Sequence, residues 1–140
     1  MTWDKLRDLE EVKQQGRRAW RERDAHELAM KQAQSQIDMV QSRVDAVDRV
    51  VAELIQSKPG TFASREEIAA WQAKLDELQA ARAGFNEQRR NLNSIVASER
   101  MQVIKLSHLI DHLQRSVVNL QNAVEGRSPS GGWEGGLFRI

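Results

Sequence analysis

Ser57-Lys58-Pro59-Gly60-Thr61-Phe62-Ala63-Ser64-Arg65-Glu66-Glu67-Ile68 is the one internal stretch that a long helix cannot run through. Proline lacks the amide proton that an α-helix needs and clashes with the preceding turn, and the glycine beside it adds backbone freedom. A few residues later, Ser64-Arg65-Glu66-Glu67 has the form of a capping box. In such a box the Ser64 hydroxyl takes the Glu67 amide, and the Glu67 carboxylate reaches back. The stretch therefore predicts a stop, a turn over residues 58–63 and a new helix from Ser64.

Outward from this turn, Thr2 to Ser57 and Ser64 to Glu125 contain no proline. Each would be ~80 to 90 Å long as a helix, at 1.5 Å per residue. Glycines reappear from Gly126 to Gly136, around Pro129, and Gly126 suits the left-handed position that ends a helix. The predicted division is helix over 1–57, turn over 58–63, helix over 64–125, and a flexible glycine-rich tail with apolar anchors over 126–140.

The apolar spacing says how the helices pack. Alternate steps of three and four from Ile68 visit Trp71, Leu75, Leu78, Arg82, Phe85, Arg89, Leu92, Val96, Glu99, Val103, Leu106, Ile110, Leu113, Val117, Leu120 and Val124. Fourteen of these 17 are apolar, about twice the share expected from a 40% hydrophobic composition. The same stepping from Leu9 through Val12, Gly16, Ala19, Arg23, His26, Met30, Ala33, Ile37, Val40, Val44, Val47 and Val51 to Leu54 gives 11 of 14. A seven-residue repeat kept this long marks a left-handed coiled coil. With so short a turn between them, the helices are expected to pair antiparallel, as an all-α two-helix hairpin. Setting Leu54 against Ile68 pairs Val51 with Trp71, Val44 with Leu78, Ile37 with Phe85, Met30 with Leu92 and Leu9 with Leu113. It also sets Arg23 against Glu99, a polar pair expected to lock the register rather than to stabilise, since desolvation offsets much of the Coulomb gain.

Composition narrows function. The absence of cysteine excludes disulfides, thiolate metal sites and cysteine nucleophiles. A formal charge of +1 gives no overall field for nucleic acid or acidic lipid. No apolar run approaches the ~20 residues that cross a bilayer, and the opening MTWDKLRDLEE lacks the core of a signal peptide. His108 and His112 have the i, i+4 spacing of zinc ligands, but no third ligand is specified, so a solvated face is the expected role. Arg17, Arg18, Arg21 and Arg23 are diluted by Glu22, Asp24 and Glu27, which argues against a nucleic-acid stripe. No phosphate loop, nucleophile elbow or concave carboxylate pair is present, so neither catalysis nor a cofactor or metal is expected.

Binding to protein partners is the expectation. Large apolar residues off the seam gather toward the open end of the hairpin: Trp3, Leu6, Trp20, Leu28, Ile95, Met101, Ile104, Leu109 and Val118, against Met39, Val50 and Ile55 near the turn. Of these, Trp3, Leu6, Trp20, Ile104, Leu109 and Val118 are the leading contact candidates. The tail adds Trp133, Leu137, Phe138 and Ile140 on a glycine tether, the pattern of a docking peptide.

With Leu6, Leu9 and Val12 near the start, and Ser64-Arg65-Glu66-Glu67-Ile68 followed by Trp71-Gln72, the chain resembles the small coiled-coil stalk proteins of type III secretion and flagellar export. The resemblance implies two long antiparallel helices whose joined termini sit in a hexameric export ATPase while the turn meets the export gate. A terminal arm that grips neighbouring subunits also suits a small bacteriophage or virion component. The expected protein is thus a non-enzymatic rod or spacer, homo-oligomeric or ring-associated, in a virion or the bacterial cytoplasm.

Overall fold

The computed structural model describes residues 2–126, with side chains from residue 3. Two helices account for nearly all of them: α1 (Thr2–Gln56) and α2 (Arg65–Glu125), packed antiparallel as a coiled-coil hairpin with no strand among the described residues. The tail expected over 126–140 lies, beyond Gly126, outside the described residues, and so do its anchors Trp133, Leu137, Phe138 and Ile140.

Local chemistry sets the ends. The Glu67 amide donates to Ser64 Oγ at 3.1 Å, satisfying one of the amides that open α2. Trp71 Nε1–H donates to the carbonyl of Leu54 at 2.7 Å, supplying a partner to an acceptor in the last turn of α1. The Lys58 ammonium lies over the same indole, 5.8 Å from its centre. One tryptophan thus ties the end of α1, the turn and the first turns of α2 together. At the other end Gly126 has φ +74°, the left-handed conformation that glycine adopts without a Cβ penalty.

All fourteen α1 seam positions are buried or half-buried, and fifteen of the seventeen on α2, with Ile68 and Arg82 exposed. The chain forms two compact units. A terminal unit comprises Met1–Met30 and Ala97–Ile140, and a turn unit comprises Lys31–Val96. In the terminal unit Leu9, Ala19, Ile110, Leu113 and Val117 form a buried cluster, with Val12, Trp20, Leu106 and Leu120 packed on it. In the turn unit burial is confined to Ala33, Val40, Val44 and Val96, while Ile37, Leu75, Leu78, Phe85 and Leu92 stay half-exposed.

The register differs from the expected one. Within the terminal unit Glu99 accepts a hydrogen bond from His26, not from Arg23. Arg23 Nε instead donates to Ser107 Oγ at 2.8 Å, its guanidinium also reaching Glu27 at 3.3 Å. If Arg23 stood level with Glu99, Ser107 would lie eight residues away, ~12 Å along the axis, farther than the two side chains span. The turn unit gives the same result. Arg82, expected opposite Val40, donates to Asp48 Oδ1 at 2.7 Å, again eight residues beyond its expected neighbour. Both bonds form when each α1 residue faces an α2 residue three or four places later than expected. Leu9 then faces Val117 rather than Leu113, and Val117 becomes fully buried while Ile68 loses its partner.

Apolar burial decides the choice. Burying a valine completely is worth about 1.5 to 3 kcal/mol. A half-exposed ion pair contributes at most ~1 kcal/mol. Half a heptad of slip sets Val117 against Leu9 in place of Lys5 at the cost of uncovering Ile68, and the Arg23–Glu99 match is too weak to prevent it.

Candidate interaction surface

A two-helix seam leaves most of each helix surface outside the core, so any binding site must be built from side chains off the stripe. In the terminal unit Trp3 is 83% exposed, and Leu6, Leu28, Met101, Ile104 and Leu109 are also exposed. Trp20 and Val118 differ from these, being half-buried. Trp20 packs against the Leu9–Ile110 cluster and carries the Arg23 guanidinium 5.3 Å from its ring centre. Arg23 is thereby held by Trp20, Glu27 and Ser107 at once, and Arg17 by Glu10 at 3.4 Å. Two of the four clustered arginines are therefore engaged with their own chain.

Exposed apolar side chains are not confined to the terminal unit. Met39, Val50, Ile55, Phe62, Ile68 and Ile95 are exposed in the turn unit. Six large apolar side chains are exposed in each unit, so the expected preponderance at the open end is not found among the described residues. Phe62 lies in the turn, outside the helical positions that were compared, and the shifted register strips Ile68 of cover. Phe62, fully exposed at the tip, is the contact candidate that helical periodicity passes over; an aromatic among turn residues is the signal that finds it.

The polar groups show little that chemistry can use. His26 and Glu99 form the central polar pair of the terminal unit, half-buried and bonded to each other. His108 and His112 are exposed, and no cluster of three or more His, Cys, Asp or Glu placed to hold a metal ion occurs among the described residues. In the turn unit a shallow groove of about 360 Å³ runs between the helices, lined by Gln36, Met39, Val40, Arg43, Gln88, Asn91 and Leu92. Arg43 is its sole charged residue. A guanidinium among amides and apolar groups can hold a contact, but it offers no acid–base pair. No helix among the described residues is long and apolar enough to cross a membrane.

The least expected residues are Gln114 and Asn122, buried to 1% and 8% exposure although neither is on the seam. Gln114 Oε1 and Asn122 Nδ2 find no hydrogen-bond partner among the described residues. Nothing in the apolar spacing singles them out. Comparison with protein-family models, with curated proteins and with solved structures gives no match.

Proposed function

We propose that the chain is a non-enzymatic structural protein: an antiparallel helical hairpin that acts as a spacer and attaches to a larger assembly through its terminal end and C-terminal peptide. The exposed Trp3 carries this reading, with Leu6, Ile104 and Leu109 exposed in the same unit. An indole left in water is a large unfavourable area unless a partner covers it. The sequence of the tail, with Trp133, Leu137, Phe138 and Ile140 on glycine pairs, adds anchors of the kind that dominate interfaces.

The first version is a component of a bacteriophage or similar virion, in which copies of the tail bind adjacent subunits. Native mass spectrometry of the purified chain then gives a closed oligomer, and deleting residues 131–140 returns it to monomer. A monomer with the intact tail rejects this version. The second version, supported by the two-helix hairpin itself, is the stalk of an export ATPase. It requires a monomer that binds a hexameric ATPase and raises its turnover, and an unchanged turnover rejects it.

A further inference from the structure

Asn122 lies two residues before Val124 on a seam whose members point at α1, which puts it on the opposite side of α2. It is nevertheless buried, and with Gln114, Val118 and Gln121 it forms one continuous strip at i, i+4, i+7 and i+8, all four buried or half-buried. Gln114 and Gln121 border the seam, but Val118 and Asn122 lie away from α1, which occupies the other face and cannot cover them.

We infer that the strip is the seat of the chain's own C-terminal segment, residues 127–140. Four observations point to this occupant. The chain leaves α2 through Gly126 with φ +74° and its amide directed to the Ala123 carbonyl at 3.4 Å, a left-handed exit that turns the backbone off the helix axis. Reach is sufficient: Trp133 is seven residues beyond Gly126, ~23 Å when extended. Gln114 is twelve residues back along the helix, ~18 Å. The segment's Gly131, Gly132, Gly135 and Gly136 let a main chain approach closely, while Trp133, Leu137, Phe138 and Ile140 supply apolar surface for Val118 and the edge of the core. Finally, Gln114 Oε1 needs a donor and Asn122 Nδ2 an acceptor, and a passing peptide backbone carries both.

The seat adds a step to the assembly role without depending on it. The apolar anchors rest on their own helix until a partner takes them, so attachment exchanges one set of contacts for another.

Because the full chain contains no cysteine, the strip can be read by thiol labelling. Asn122→Cys is compared with Asn119→Cys, an exposed position on the same helix, using a small maleimide on the isolated full-length protein. The expected result is labelling of Asn122→Cys at least tenfold slower than the control, at a rate independent of tenfold dilution. Adding Trp133→Ser, Leu137→Ser and Phe138→Ser brings it to about the control rate with helix content unchanged. Val118→Cys, half-buried on the same side of α2, reads the strip if Asn122→Cys loses helicity. Labelling already at the control rate, or slow labelling that survives the triple substitution, overturns the inference. A rate that rises on dilution also overturns it, because the cover then comes from a second copy. Since no assembly partner is present, each result stands apart from the test of the proposed function.

Discussion

The terminal unit buries leucine, isoleucine and a whole valine, whereas the turn unit, built on the same heptad pattern, buries only valine and alanine. The difference lies in what stands beside the seam. In the terminal unit Gly16 and Ala19 lie on α1 opposite Ile110 and Leu106, small against large, and Trp20 covers the flank. The seam carries polar residues in each unit, Arg23, His26 and Glu99 in the terminal unit and Arg82 and Arg89 in the turn unit. The guanidiniums of the turn unit, however, run outward to Asp48 and Gln41, while His26 and Glu99 bond to each other across the helices. Long stems running outward cover apolar neighbours without filling the space between the helices. Equal periodicity thus yields unequal cores, because a heptad pattern specifies which side faces inward and not how well that side closes.

Truncation separates the units most sharply. Leu113→Ala, in the terminal cluster, should cost about 3 kcal/mol in urea unfolding, and Leu78→Ala, half-buried in the turn unit, about half as much. Equal costs would remove the distinction. Overpacking gives the next effect. Ala19→Leu should destabilise by about 2 kcal/mol because its neighbours are already close-packed, whereas Ala33→Leu should cost less, since Ile37 and Leu92 around it can yield.

The fold was legible in the sequence because it rests on long-range repetition. Thirty-one seam positions and one proline-glycine break each point to a hairpin, and no single residue has to be right. Register is a different kind of fact. Two alignments differing by half a heptad place the same stripes face to face, and Arg23 opposite Glu99 favoured one of them by a contribution smaller than the burial of Val117. The candidate surface was legible in part: Trp3, Leu6, Ile104 and Leu109 could be found because they lie off the stripe. Gln114 and Asn122 could not, because apolar spacing does not single out a buried polar residue that lies off the stripe.

Smaller effects test the polar contacts in each unit. A double-mutant cycle on His26→Ala and Glu99→Ala should give a coupling of about 1 kcal/mol, and the cycle on Arg23→Ala and Glu99→Ala less than about 0.5. The reverse order would restore the expected register. Smallest of all, Arg82 and Asp48, each nearly half exposed, should couple by no more than about 0.5 kcal/mol. That coupling should fade in about 1 M salt.

The alignment of α1 against α2 supports every later step, and nuclear Overhauser spectroscopy of the full-length chain reads it directly. Cross-peaks from the Arg23 Hε proton to the Ser107 β protons, together with peaks between the His26 ring and the Glu99 γ protons, are the predicted result. Cross-peaks from Arg23 Hε to the Glu99 γ protons with none to Ser107 would contradict it.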